Sequence, residues 1–167
     1  QEQNSWDINM KTVGRHYMRN AAALLALAVS LKLSPSEAVS ALKNWKPLAG
    51  RGEVLTINFK DRGNLITLHV IDESYNANPG SVKTSLETLV NIFSSDRERR
   101  RIAVLGDMLE LGVSELAEHR KISKFSKLDR IDKLYCVGLR MKELYDVIPQ
   151  SKKGFWTETA EEMKDVL

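Results

Sequence analysis

The sequence has little cysteine: Cys136 is the single one among 167 residues. One cysteine excludes an internal disulfide and favours a reducing, cytoplasmic environment. Cys136 lies in the apolar run of residues 134–137, where we expect a buried, unreactive thiol. Long apolar runs are missing as well. None approaches the roughly 20 residues needed to cross a bilayer, so no membrane span is predicted.

Motifs for metals and for nucleotide phosphates are also absent. His16, His69 and His119 are far apart in the sequence, and no H-E-x-x-H motif or cysteine pair occurs, so no metal site is predicted. Neither G-x-x-x-x-G-K-[ST] nor G-x-G-x-x-G is present, which disfavours a classical dinucleotide-binding fold. The lack of a nucleophile elbow argues against a Ser-His-Asp triad.

The formal net charge is only +3, and the basic residues are dispersed along the chain apart from one run. The one basic run, residues 97–101, precedes a predicted strand and is interpreted as a solvated loop, so nucleic acid is not a predicted partner. A hydrophobic content of 43% is typical of a globular domain. Residues 1–4 show neither an initiator Met nor a signal peptide, and we expect the chain to be part of a longer protein.

The first 46 residues are helical in pattern. Residues 20–29 are apolar on nearly every side, which predicts a helix buried all round within a larger host. A second helix is predicted to begin after Ser34, with Glu37 completing a capping box, and to run to about Trp45. Pro47 and the glycines after it interrupt this pattern, so a domain boundary is predicted there.

Beyond residue 47 the periodicity becomes that of an α/β domain. An alternating run at 55–59 and a buried strand at 65–71 predict a hairpin. The apolar positions that predict the next helix are Val82, Leu86, Leu89, Val90 and Phe93. The remaining predicted elements are strands at 101–106, 133–138 and 154–157 and helices at 114–126 and from 158. This order predicts a Rossmann-like, mainly parallel sheet with flanking helices.

Two polar segments each follow a predicted strand and precede a helix: Asp-Glu-Ser-Tyr-Asn-Ala-Asn-Pro-Gly-Ser at 72–81 and Gly-Asp-Met-Leu-Glu-Leu-Gly at 106–112. Ligands bind at the carboxyl ends of the strands in sheets of this kind. We therefore expect the two segments to converge on one cleft.

Four motifs occur in a characteristic order and spacing. They are Gly14-x-His16-x-x-x-Asn20-Ala21, Gly50-Arg51-Gly52-Glu53, Asp72-x-Ser74-Tyr75-Asn76-Ala77-Asn78-Pro79, and Gly106-Asp107-Met108-x-Glu110-Leu111-Gly112 followed by His119. Together they resemble the Mur ligases over residues 14–119. The third and fourth motifs are similar to those of the members that add D-alanyl-D-alanine to a UDP-N-acetylmuramoyl-tripeptide.

The resemblance implies a cytoplasmic enzyme, monomeric at full length, that uses ATP and Mg²⁺ to form an amide through an acyl phosphate. It also implies that residues 1–47 end a central ATP-binding domain and that residues 48–167 form a C-terminal domain without its last strand. The P-loop and the groups that hold Mg²⁺ would then lie upstream, and the chain alone is expected to be inactive.

For ATP, the resemblance implies that Asn20 reads adenine, that His16 is a further ATP-binding residue, that Glu73 contacts the ribose and that Arg51 reaches the γ-phosphate as the catalytic cation. Asn20 could instead cap a helix, His16 could be structural, and Arg51 could be an ordinary loop arginine. Two residues depart from the family: Tyr17 stands where asparagine is usual, and Glu73 stands in place of aspartate.

For the peptide substrates, the resemblance places Tyr75, Asn76 and Asn78 near the incoming dipeptide. The two asparagines are equally suited to forming a turn. Asp72 could bind ribose or cap the loop, and Asp107 and Glu110 could bind an ammonium group or, preferably, cap the next helix. His119 is interpreted as structural.

Two other functions stay open from the sequence. The chain could belong to a non-catalytic α/β module that holds a nucleotide or regulates another protein. It could also belong to another amide ligase of the same fold family. A P-loop in the upstream sequence would favour the ligases over the module.

Overall fold

The computed structural model describes residues 5–10, 12–92 and 99–167. Residues 1–4, Phe93 and the first two residues of the basic run, Arg97 and Glu98, lie outside the described residues. The chain forms two compact units, Gln1–Tyr75 and Asn76–Leu167. The domain boundary near residue 47 concerns the whole protein and stays a prediction.

The first unit begins with two helices, α1 (Arg15–Ser30) and α2 (Pro35–Asn44). The Ser34 hydroxyl accepts a hydrogen bond from the Glu37 amide at 3.4 Å, as predicted for the start of α2. Four apolar side chains form the buried contact between the helices: Ala21, Leu25, Val39 and Leu42.

Within this chain α1 is not buried all round, and its burial in a larger host stays a prediction. Leu24 and Leu27 remain 47% and 56% exposed. Among the described residues of this unit, α2 is the one helix that packs against α1, so a single side of this apolar helix is covered.

The predicted hairpin is confirmed: β1 (Glu53–Asp61) pairs antiparallel with β2 (Asn64–Asp72). Arg62 and Gly63 form its turn with positive φ angles of 47° and 85°, which suits the right-handed twist of the two strands. The expectation that residues 65–71 are buried is wrong, because Leu65 is 70% exposed and no residue of β2 is buried. The hairpin is a two-stranded sheet, which cannot cover its own faces.

The second unit is an α/β layer structure, as predicted. In chain order its elements are α3 (Pro79–Asn91), β3 (Ile102–Gly106), α4 (Glu115–Lys121), β4 (Lys133–Val137), α5 (Lys142–Val147), β5 (Lys153–Thr157) and α6 (Ala160–Lys164). The sheet has the order β3-β4-β5 with both strand pairs parallel. The helix α4 is shorter than predicted, since residues 112–114 and 122–124 form 3-10 turns, and α5 was not predicted.

The core of this unit is apolar and continuous. Its fully buried apolar side chains are Val90, Met108, Ile131, Leu134, Cys136, Met141 and Leu144. Cys136 is buried as expected, and its burial raises the pKa of the thiol to about 12. Among the described residues, no helix combines the length and the apolar character that a bilayer crossing requires.

Candidate functional site

The candidate site in the first unit is built around residues 48–52, which we call the Arg51 loop. The Arg51 amide donates to the Leu48 carbonyl at 3.0 Å, and the Gly52 amide donates to the Asp72 carbonyl at 2.7 Å. The Tyr75 amide in turn donates to the Gly50 carbonyl at 3.0 Å. These bonds join the loop to the end of β2, which follows it by some twenty residues in the sequence.

Both glycines of the Arg51 loop are required by geometry. Gly50 and Gly52 have φ angles of 74° and 85°, a region that side chains with a Cβ rarely adopt. A Cβ on Gly50 would lie 2.9 Å from the Tyr75 backbone nitrogen, and one on Gly52 would lie 2.5 Å from the Tyr17 hydroxyl. The Gly-Arg-Gly motif is therefore a conformational requirement of this loop.

The Arg51 side chain is exposed and ordered by stacking. Its guanidinium carbon lies 4.0 Å from the centre of the Tyr75 ring, a cation–π contact. In the part of the chain that the structure describes, no ion pair involves Arg51. The charge is thus held in place but not neutralised, and its planar N–H donors suit the oxygens of a phosphoryl group.

Tyr17 lies in the first turn of α1 and contacts the Arg51 loop from there. It is buried, and its hydroxyl donates a hydrogen bond to the Arg51 carbonyl. Its ring contacts those of His16 and Trp45, with centroid distances of 3.9 and 5.4 Å. The sequence marked Tyr17 as unusual but carried no signal for this contact across 34 positions.

His16 and Asn20 lie one turn apart on α1, and this i, i+4 spacing places them on the same helix face. Asn20 is exposed and sits inside the helix, whose N-cap is Gly14. The alternative that Asn20 caps a helix is therefore wrong. The Nδ1 atom of His16 is buried without a hydrogen-bond partner, and burial lowers the pKa of this histidine.

The two acids after β2 differ in role. The Asp72 carboxylate accepts a hydrogen bond from the Ser74 amide at 3.0 Å, so it caps the loop, and the bonds from Ser74 lower its pKa. Glu73 is half-buried, and its pKa is raised first by burial and then by the charge of Asp72. Glu73 is near enough to Tyr17 that its charge contributes to raising the pKa of that phenol.

Asn76 and Asn78 belong to the second unit, where both form the turn that the sequence suggested. The Asn76 side chain accepts from the Ala77 amide at 2.8 Å. Asn78 is the N-cap of α3 and shares a capping box with Ser81, with both bonds at 2.9 Å. Their side-chain oxygens are thus engaged locally.

The expected convergence of residues 72–81 with residues 106–112 rested on a wrong assignment. The first segment follows β2, which belongs to the antiparallel hairpin, and only the second follows a strand of the parallel sheet. The rule for carboxyl ends of parallel strands therefore applies to residues 106–112 alone.

Asp107 caps a helix, which is the role that the sequence favoured for it, but the helix is α5 and not the expected α4. Its carboxylate accepts from the amides of Arg140 and Met141 at 3.2 and 2.7 Å, before α5 rather than α4. The Arg140 guanidinium also binds Glu115 at 2.5 Å. Glu110 is exposed in a left-handed conformation with φ 61°.

His119 is structural, in agreement with the sequence interpretation. It is fully buried, its Nε2 accepts from the Met108 amide at 2.9 Å, and its Nδ1 lies 2.7 Å from the Glu115 carbonyl. These partners fix the neutral tautomer with the proton on Nδ1. Both nitrogens are thereby occupied.

Within residues 5–10, 12–92 and 99–167, no three His, Cys, Asp or Glu side chains come together as metal ligands.

The loop Gly50-Arg51-Gly52 and the parallel α/β unit both lie within the part of the chain that matches a family of ligases. Residues 50–167 match the family model described as Mur ligase, glutamate ligase domain. The chain belongs to the Mur ligase family, whose members are ATP-dependent amide ligases.

Particular relatives carry the name UDP-N-acetylmuramoyl-tripeptide--D-alanyl-D-alanine ligase. The protein of that name from Mycobacterium tuberculosis is 32% identical over 133 residues, which are 79% of this chain and 25% of the relative. The Escherichia coli protein is 31% identical over 134 residues, or 80% of this chain and 27% of the relative. The chain thus spans about a quarter of the length of these relatives.

Solved structures agree on the fold. A crystal structure of MurF from Acinetobacter baumannii superposes with a TM-score of 0.74 at 24% identity, covering 98% of this chain and 33% of that one. A pseudomurein peptide ligase type C from Methanothermus fervidus gives 0.65 at 21% identity, covering 92% and 27%. At these identities the likeness concerns the fold alone.

Proposed function

We propose that the protein containing this chain joins D-alanyl-D-alanine to a UDP-N-acetylmuramoyl-tripeptide, with cleavage of ATP to ADP and phosphate, in cytoplasmic synthesis of a peptidoglycan precursor. The names of the relatives at about 30% identity support this reaction. The observation that carries it in this chain is the exposed guanidinium of Arg51, which lies between two glycines and on the ring of Tyr75 and forms no ion pair with any described residue.

In this proposal Arg51 is the catalytic cation. The tripeptide carboxylate attacks the γ-phosphorus of ATP and displaces ADP, which gives an acyl phosphate. The dipeptide amine then attacks the acyl carbon, loses a proton and displaces phosphate to leave the amide. Negative charge shifts among the phosphoryl oxygens while the group moves, and a preorganised cation stabilises it without having to reorganise. Stacking on Tyr75 keeps the Arg51 fork oriented for two oxygens at once.

ATP would be read by three residues of the first unit. Asn20 offers a carboxamide, with a donor and an acceptor side by side for a base edge, and His16 lies on the same helix face. The half-buried carboxyl of Glu73 would accept from ribose hydroxyls. The P-loop and the magnesium ligands would lie in the part of the protein outside this chain.

The dipeptide would be met by Tyr75, Asn76 and Asn78. The oxygens of both asparagines are engaged by backbone amides, so their side-chain NH2 groups remain as donors for a substrate carbonyl or carboxylate. We expect the protein to act as a monomer.

A second ligase reaction is favoured by one observation. The fold is shared with a pseudomurein peptide ligase, with a TM-score of 0.65. The alternative is therefore an amide ligase of the same family that uses a different peptide or amine. A non-catalytic nucleotide-binding module remains the other alternative.

The test is an ATP-turnover assay on the intact protein and on the 167-residue chain. We expect the intact protein to release ADP only when both the UDP-muramoyl-tripeptide and D-alanyl-D-alanine are present, and the chain alone to release none, because neither phosphate-binding motif occurs in it. Single amino acids in place of the dipeptide are the control for substrate choice.

Three results would contradict this proposal. Release of ADP with another amine and not with the dipeptide would favour the other ligase. Binding of ATP without any peptide-dependent turnover in the intact protein would favour the non-catalytic module. Peptide-dependent turnover by the 167-residue chain would overturn the assignment of phosphate binding to the rest of the protein.

A further inference from the structure

We propose that Tyr17 is a positioning residue that sets the conformation of the Arg51 loop and thereby the placement of the Arg51 guanidinium. The expected effect on catalysis rests on the proposed function, whereas the expected effect on the conformation of the loop does not. The observation behind it is the hydrogen bond from the Tyr17 hydroxyl to the carbonyl of Arg51 itself.

The Arg51 loop needs an external anchor because of its own sequence. Residues on both sides of Arg51 are glycines, which have the largest conformational freedom of any residue. The loop's backbone bonds engage the Arg51 amide, the Gly52 amide and the Gly50 carbonyl. The Arg51 carbonyl is not engaged by these backbone bonds. The Tyr17 hydroxyl donates to it and so fixes the second backbone polar group of Arg51.

Tyr17 is itself well fixed. Tyr17 is 9% exposed, and its ring contacts those of His16 and Trp45. It sits in the first turn of α1, where its amide donates to the Gly14 carbonyl at 3.2 Å. The anchor therefore ties the loop to a helix, whose position is set by packing against α2.

The hydroxyl of Tyr17 remains a donor at physiological pH. Burial raises the pKa of the phenol, and the nearby charge of Glu73 raises it further. The neutral phenol is the form that can donate to a carbonyl. Gly52 is matched to this arrangement, because a Cβ there would lie 3.2 Å from Cζ of the Tyr17 ring.

The variant Tyr17→Phe tests this anchor in the intact protein, since it removes the hydroxyl and keeps the ring. We expect amide hydrogen exchange at Arg51 and Gly52 to accelerate by about two- to tenfold. We expect kcat to fall by about fivefold or more with KM for both peptide substrates unchanged, because small misplacements of a catalytic group affect the transition state most.

Tyr145→Phe is the matched control. Tyr145 also donates a hydroxyl bond to a backbone carbonyl, that of Gly154 at 3.2 Å, but in the second unit. The variant Tyr145→Phe is expected to leave both kcat and the amide hydrogen exchange at Arg51 and Gly52 unchanged. A purely structural role of Tyr17 would lower the melting temperature and leave both kcat per folded molecule and local exchange unchanged.

Measurement of Arg51→Ala in parallel separates the two proposals. Unchanged exchange in Tyr17→Phe overturns the positioning role, whatever the kinetics. Normal kcat in Tyr17→Phe combined with slow turnover in Arg51→Ala also overturns it. Faster exchange in Tyr17→Phe together with normal turnover in Arg51→Ala supports the anchor and instead overturns the catalytic assignment of Arg51.

Discussion

Arg51→Ala is expected to lower kcat of the intact ligase by about a hundredfold to a thousandfold, or roughly 3 to 4 kcal/mol, with little change in binding of the muramyl substrate. The reason is that the guanidinium is exposed, stacked on Tyr75 and unpaired in the described structure, so its charge is available to the moving phosphoryl group. Arg51→Lys should recover only part of the rate, since an ammonium group lacks the bidentate fork. Steady-state kinetics give both values.

Arg62→Ala is the matched control for Arg51→Ala. Arg62 is another exposed loop arginine of the first unit, in the hairpin turn, and its removal should leave turnover unchanged. The fold should tolerate both changes because neither side chain is buried. Near-normal turnover in Arg51→Ala, or a large fall in melting temperature with unchanged turnover per folded molecule, would make Arg51 an ordinary loop arginine.

Gly138→Ala should reduce the free energy of unfolding of the second unit by about 3 kcal/mol. Gly138 has a φ of 106°, and a Cβ there would lie 2.6 Å from an oxygen of the Asp107 carboxylate. That carboxylate cannot move away easily, since the amides of Arg140 and Met141 hold it. Urea denaturation followed by circular dichroism measures the change.

Gly112→Ala separates the two causes of this destabilisation. Gly112 also has a positive φ, 60°, but a Cβ there would meet no atom within 4 Å. Its cost should be about 1 kcal/mol, from backbone conformation alone. Equal costs for the two variants would show that the contact with Asp107 contributes nothing.

The α/β architecture could be predicted because its signals are local. Each strand of the parallel sheet is a short apolar run, and the N-caps of α2 and α3 lie three residues from their partners, Glu37 and Ser81. Burial could not be predicted with the same success. Residues 65–71 are as apolar as a core strand, yet exposure depends on which layers cover the hairpin, and the pattern of one strand does not report that.

The motifs of the sequence name the residues of the candidate site, but they report only part of the contacts that these residues make. Positive φ at Gly50 and Gly52 agrees with a motif that places two glycines around Arg51. The bond from Tyr17 to the Arg51 carbonyl joins two residues that are 34 positions apart in the sequence. The bonds by which Asp107 caps α5 span 33 and 34 positions. Such pairs depend on tertiary packing, for which one sequence carries no signal.

The buried thiol of Cys136 provides a chemical reporter of opening in the parallel sheet. Its side chain is fully buried on β4, the central strand, and a pKa of about 12 leaves almost no thiolate at neutral pH. An alkylating reagent can therefore modify it only after the sheet separates or unfolds. The labelling rate of this chain, measured against reagent concentration, would give the opening free energy of the ligase domain in native buffer, without denaturant.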